Sequence, residues 1–353
     1  MLIFFFRYVL GPPGQSVRSA IAKVGYGVTS TVWFARDLVN STYVVLKLYV
    51  LGQERDHELK IYNHIQFIRK LLNHFFIDGP HGRHICLVHE PLGMNTSDLL
   101  HSIPGKTMTL ELMKPAIRQL LRALDFMHSV AGVIHTDIQL KNLLLPAPSA
   151  SALSDFEERT INQPVPRKVL KDRTIYTTSS FPAGDGYPLL GDFGEARIGN
   201  EPRNESIMPD YYRAPEVILK STWDYKVDIW SVGMVAWDIV SPRTLIKGNT
   251  IDGISDDGAH IVELVSLLGP PPSSFLKNTP MSRIFWDESG AWNNLVPIPD
   301  QNLDNLAADI RGEDVEGFLR WLRLALQWNP EDRLTALELL MDPWLMKGLN
   351  LRK

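Results

Sequence analysis

The sequence predicts an α+β chain with a small β-rich N-terminal lobe and a larger α-helical C-terminal lobe. Three observations carry that expectation. The stretch from Ser19 to Val50 is β-branched and aromatic and lacks a helical period, which predicts a small antiparallel sheet. Between Arg55 and Leu72 the apolar residues Leu59, Ile61, Tyr62, Ile65, Ile68 and Leu72 recur at helical spacing, so one helix interrupts the strands. Beyond Gly93 the pattern turns mostly helical, as in Ile117, Leu120, Leu121 and Leu124.

In chain order, Met1 to Leu10 (MLIFFFRYVL) is apolar but broken by Arg7. It falls well short of the roughly 20 residues that span a bilayer, and no basic start or small-residue cleavage site accompanies it. A strand or irregular start packed on the lobe is expected, ended by Pro12-Pro13-Gly14, so residues 1–14 form a segment of their own. Arg83 to Glu90 is a further strand, and the joint between lobes falls near Glu90–Gly93, giving lobes of 15–92 and 93–350. Pro146 to Pro188 mixes Pro, Ser, Thr and charge with little periodicity, so a structureless insertion is expected there, with local strands within Val165 to Tyr176.

Composition narrows the class. The chain has 353 residues, 44% hydrophobic and 22% charged, which marks a globular core rather than disorder. With 36 basic and 40 acidic side chains the net charge is −4, so nothing draws it to nucleic acid directly, and no membrane association is expected. The single Cys86 makes no internal disulfide, which points to a reducing compartment, cytoplasmic or nuclear.

Chemistry-bearing residues fall in a definite order. Gly25-Tyr26-Gly27-Val28-Thr29-Ser30-Thr31-Val32 lies between two expected strands, where glycines let backbone N–H groups approach phosphate, although they serve any tight turn equally. Lys47 ends the apolar run Val44-Val45-Leu46. Glu58 shares a helical face with Ile61, Tyr62 and Ile65, so it points inward and needs a cationic partner, for which Lys47 is the candidate. Further on come Val133-Ile134-His135-Thr136-Asp137-Ile138-Gln139-Leu140-Lys141-Asn142 and then Asp192-Phe193-Gly194. Tyr212-Arg213-Ala214-Pro215-Glu216, Asp228-Ile229-Trp230-Ser231-Val232-Gly233 and Asn329-Pro330-Glu331-Asp332-Arg333 follow.

Together these motifs resemble the eukaryotic protein kinases over about residues 15–346. The resemblance implies one catalytic domain, 15–350, with ATP and Mg²⁺ as cofactors. Asp137 would accept the proton of the substrate hydroxyl, Asn142 and Asp192 would hold Mg²⁺, and Lys47, held by Glu58, would grip the α- and β-phosphates. Gly25, Tyr26, Gly27 and Ser30 would cover the phosphates. Val32, Val45 and Leu144 would enclose adenine, whose edge would bond the carbonyl of Glu90 and the N–H of Leu92, with His89 as gatekeeper. Glu216 would pair with Arg333, and Asp228 would anchor the catalytic loop.

A closer similarity is to the SR-protein kinases, particularly divergent fungal relatives. It rests on GYGVTSTVWFARD, His-Thr-Asp in place of His-Arg-Asp, IVELVSLLGPPPSSF, and a spacer at 146–188. This implies phosphorylation of serine in Arg/Ser-rich proteins and a link to mRNA splicing. Four carboxylates and no Lys or Arg lie between Ile251 and Glu263, and Asp256 with Glu263, on a helical face with His260, would dock such a substrate. A solvated acidic face is the other explanation.

The departures matter. Gln139 stands where most of these kinases carry a lysine for the γ-phosphate, and Lys141 is expected to compensate in part. Thr136 replaces an arginine that clamps a phosphorylated activation loop, so independence from such phosphorylation is expected. The rivals are a weakly active or pseudokinase scaffold, opposed by the intact Lys47, Glu58, Asp137, Asn142 and Asp192, and a small-molecule phosphotransferase, opposed by the Ala-Pro-Glu segment.

Overall fold

A computed structural model describes residues 18–50, 56–64, 71–79, 82–171, 174–199, 201–248, 256–293 and 297–349. The expectation for 1–14 lies outside these residues. Two compact units emerge: residues up to Asn95 together with Leu144–Gly186, and Thr96–Leu143 together with the chain from Tyr187 onward.

The first unit is built on five antiparallel strands in the order β1-β2-β3-β5-β4. They are β1 (Arg18–Tyr26), β2 (Ser30–Asp37), β3 (Thr42–Tyr49), β4 (Leu71–Gly79) and β5 (Gly82–His89). Alternation sorts β3 into two faces. Val44, Leu46 and Leu48 join Trp33, Ala35, Phe75, Cys86 and Val88 in one cluster, while Tyr43, Val45, Lys47 and Tyr49 alternate with them. The expected sheet is therefore present.

The intervening helix is described over Asp56–His64; Ile65 and Ile68 lie outside the described residues, and Leu72, expected on the helix, belongs with Leu71 to β4. That strand lies at the sheet edge with Leu72, His74 and Phe76 exposed, so its apolar residues gave no clean alternation to distinguish it from a helix end.

The insertion is not structureless. Ser149 caps a helix, Ala150–Asn162, its hydroxyl accepting the N–H of Ala152 at 3.2 Å. Leu153 and Phe156 on this helix pack with Phe181 against Ala22 and Phe34 of the sheet. Each such side chain contributes about 1.5–3 kcal/mol by leaving water. Glu157 accepts hydrogen bonds from Arg36 and from the Tyr43 hydroxyl, the latter at 2.7 Å. The expected local strands are Arg167–Val169 and Thr174–Tyr176, paired antiparallel, and Tyr176 meets the ring of Trp33 edge-on at 5.5 Å. By its contacts the stretch belongs with the β-rich unit, whereas the sequence placed it in the C-terminal lobe.

Both ends of this stretch close on the chain around Gly93. The Gly93 N–H donates to Leu145 and Pro146 carbonyls at 2.9 and 3.1 Å, and the Met94 N–H donates to Pro182 at 3.1 Å. Gly184 is required there, since a Cβ would stand 2.0 Å from the Pro146 carbonyl oxygen.

The second unit is mostly helical, in keeping with the predicted α+β class. Its axis is the helix Lys226–Val240, in which every residue but Asp238 is buried, as befits a helix apolar on all sides. Helices Leu110–Phe126 and Val315–Ala325 pack against it. At Gly233 a Cβ would meet Leu326 Cδ2 at 2.7 Å, so glycine allows that close approach. The expected Glu216–Arg333 pair is present and fully buried, with bonds of 2.6 and 2.7 Å. Among the described residues no helix is long and apolar enough to cross a membrane.

Candidate active site

In the β-rich unit, Lys47 and Glu58 meet as their sequence positions suggested. Lys47 Nζ donates to both Glu58 carboxylate oxygens at 2.9 and 3.1 Å, and both side chains are buried. Strand register puts Val32 opposite Lys47 and Phe34 opposite Val45, so Val32, Val45 and Lys47 share one face of the sheet. The β1–β2 turn holds Gly25, Tyr26, Gly27 and Ser30, closed by a Gly27 N–H to Ser30 carbonyl bond of 2.9 Å, with Tyr26 and Val28 exposed. His89 is buried with its ring 4.8 Å from that of Tyr62, while Glu90 is exposed and Leu92 and Leu144 are half-buried.

In the helical unit, the loop after Val133–Ile134 gathers the remaining residues. Asp228 is fully buried and organises it. One carboxylate oxygen accepts the His135 N–H at 2.8 Å and faces His128 Nε2 at 2.9 Å, while the other accepts the Thr136 N–H at 2.9 Å. This is the anchoring expected of Asp228. Thr136 is held at φ +64°, a left-handed conformation that a β-branched residue rarely adopts. Such a backbone costs on the order of 1–3 kcal/mol and persists only where the surroundings impose it.

The next residue is Asp137. Asn142 Nδ2 donates to Asp137 Oδ2 and to its carbonyl, each at 2.8 Å, and Gln139 Nε2 donates to Oδ1 at 2.8 Å. Burial pushes the Asp137 pKa up, and the nearby Asp192 charge adds to that, against the opposing pull of His135, Asn142 and Gln139. Asn142 is tied to the Asp-Phe-Gly triplet through its carbonyl, which accepts the Gly191 N–H at 2.9 Å. Asp192 itself has φ +62°, and Phe193 packs on the ring of His135 at 5.1 Å.

This donor set fits a magnesium ion. Asn142 spends its amide N–H on Asp137, which leaves its side-chain carbonyl to pair with the Asp192 carboxylate as oxygen ligands. Among the described residues no three His, Cys, Asp or Glu side chains cluster to cage a metal unaided. Mg²⁺ commonly takes one or two protein oxygens and completes its shell with phosphate and water. Lys141 is exposed on the short turn Leu140–Asn142 and has no hydrogen-bonding partner among the described residues.

Thr136 does more than vacate an arginine position. Its hydroxyl donates to the Glu195 carbonyl at 2.6 Å, fixing the start of the activation segment. Farther along, Glu205 accepts from Arg197 Nε at 3.3 Å and faces Arg203 at 3.7 Å, while its carbonyl takes the Trp223 indole N–H at 2.9 Å. A resident carboxylate thus occupies two arginines that would otherwise welcome a phosphate. Phosphatase treatment is therefore predicted to leave turnover unchanged, and a marked loss relative to mock-treated enzyme would refute this.

The acidic 252–263 stretch is only partly as expected, and Asp252 lies outside the described residues. Asp256 caps the Asp257–Leu268 helix by accepting the Ala259 N–H at 2.8 Å, and Glu263 accepts the Lys247 N–H at 2.6 Å. Both carboxylates retain some exposure. His260 does not share their solvated face: it is buried, and burial pushes its pKa down to about 3. Sequence reasoning also missed Asp238, the second acid after Asp228 in the Lys226–Val240 helix, which takes the Tyr212 hydroxyl at 2.6 Å and whose pKa burial lifts to about 6. A carboxylate inside VAWDIV was the available signal.

A strand lysine clamped by a helix glutamate, and an Asp–Asn loop bonded to the glycine that precedes an Asp-Phe-Gly triplet, are the arrangement of phosphotransferases of the kinase class. The protein kinase domain family model matches residues 19–345. A serine/threonine protein kinase of Aspergillus fumigatus is 38% identical over 97% of this chain and 88% of its own length. The serine/threonine-protein kinase SRPK of Physarum polycephalum is 26% identical over 92% of this chain and 85% of its own. The dual specificity tyrosine-phosphorylation-regulated kinase 3 of Rattus norvegicus is 24% identical over 94% and 54%. This chain belongs to the eukaryotic protein kinase family, as a serine/threonine protein kinase with SRPK-like relatives.

Proposed function

We propose that this kinase transfers the γ-phosphoryl group of Mg-ATP to serine in Arg/Ser-rich protein segments, in the cytoplasm or nucleus, in the service of mRNA splicing. The observation that carries the phosphotransfer is the Asp137 carboxylate, fixed by Asn142 beside Asp192. In the β-rich unit, Lys47 would neutralise α- and β-phosphate charge, with Glu58 keeping it extended. The Gly25–Ser30 turn would lie over the phosphates, Val32, Val45 and Leu144 would face adenine, and Glu90 and Leu92 would bond its edge.

In the helical unit, Asn142 and Asp192 would hold Mg²⁺, which supplies charge neutralisation between the phosphates. Asp137 would orient the serine hydroxyl and take its proton as Oγ bonds to the γ-phosphorus and the bridging oxygen leaves with ADP. Lys141 would lend positive charge beside the γ-phosphate.

The substrate class is supported by the SRPK relative and by the partly exposed Asp256 and Glu263. Each carboxylate gives one lone pair to a backbone N–H and has others for an arginine. A peptide array comparing Arg-Ser, Ser-Pro and acid-flanked serines, with Asp137→Ala as blank, tests this. Arg-Ser peptides should be phosphorylated best, and preference for acid-flanked peptides would overturn the proposal.

A further inference from the structure

We propose that Gln139 is a positioning residue that holds the Asp137 carboxylate in its reactive orientation. The inference rests on Asp137 acting as the base in the reaction above. Gln139 is extended, with φ −155° and ψ 164°, and its carbonyl accepts the Asn142 N–H at 2.9 Å. The same residue thus starts the turn that delivers Asn142 and folds its own amide back to Asp137 Oδ1 at 2.8 Å. Asn142 occupies Oδ2 at the same distance. One amide N–H per oxygen fixes both the direction and the plane of the carboxylate, and each oxygen keeps a lone pair for the substrate hydroxyl.

A lysine at this position would divide itself between the carboxylate and any phosphate beside it. A neutral amide has far less attraction to phosphate, so Gln139 stays on Asp137 throughout the cycle. The substitution therefore trades charge neutralisation for a permanently oriented base. Small misplacements of a catalytic group reduce turnover steeply, by up to about a hundredfold per ångström.

The test compares wild type, Gln139→Met, Gln139→Lys and Asp137→Ala on one serine peptide. Methionine matches the glutamine in length but donates no hydrogen bond; lysine restores a donor. Gln139→Met should lower kcat on the order of tenfold while KM for ATP stays unchanged. Gln139→Lys should hold kcat at or above wild type, which also shows that the loop tolerates replacement. Wild-type kcat in Gln139→Met, or an effect confined to KM for ATP, would sink the inference while leaving the kinase assignment intact. Turnover surviving in Asp137→Ala would instead remove the reading on which it rests.

Discussion

Asp137→Asn is expected to lower kcat by about 10²–10⁴, the range a positioned general base contributes, with peptide and ATP both saturating. The substitution keeps the side chain's shape and removes its capacity to accept a proton. It also turns acceptors into a mixed amide facing two donors. Gln139 and Asn142 each point an N–H at this group, so the new NH₂ must oppose one of them. The loss should appear in kcat rather than in KM for ATP, since no role in gripping the nucleotide is assigned to Asp137. Steady-state phosphate transfer measures it. A turnover within threefold of wild type would remove Asp137 from the reaction.

Arg333→Ala should destabilise the protein by about 3–5 kcal/mol, the usual cost of stranding one charge of a buried pair. Nη1 and Nη2 bond the two oxygens of Glu216, while Nε and Nη1 also reach the carbonyls of Gln327 and Lys226 at 3.1 and 3.0 Å. The guanidinium further lies over Trp230 at 5.1 Å. Alanine leaves the Glu216 carboxyl without its partner in a dry interior and opens a cavity against that indole. Against a typical total stability of about 5–15 kcal/mol the effect is severe. Urea unfolding should show a large fall in midpoint. Pairing Arg333→Met with Glu216→Leu should recover part of it, because no charge is then stranded. A single variant with an unshifted midpoint would refute the account.

Much of this site could be read from the chain because its chemistry is local. His135 through Asn142 place base, amide and neighbours within eight consecutive residues, and Glu58 betrayed its direction by sharing a face with Ile61 and Tyr62. Contacts that depend on a rotamer were not legible. Nothing in Ile138-Gln139-Leu140 says that the glutamine folds back on Asp137, so its identity spoke only of a lost cation. The Ala150–Asn162 helix escaped notice for a different reason. It buries only Leu153 and Phe156, too short a stripe to stand out among polar residues, and the aromatic partners Phe34 and Phe181 are distant in sequence. Edge strand β4 failed for want of alternation, since its burial is set by a neighbour that the local sequence does not reveal.

The stretch between Pro146 and Gly184 is a detour that leaves the chain and rejoins it at one spot. Because exit and return touch, natural variation in its length need not shift anything on either side. Residues could be spliced in after Asn162, where the helix ends among exposed side chains, much as a bead is threaded onto a loop already tied. Cutting the whole detour away is another matter. The backbone would still join neatly, yet Phe34 would lose the aromatic cushion of Phe156 and Phe181 and face water. What topology makes dispensable, adhesion has made resident.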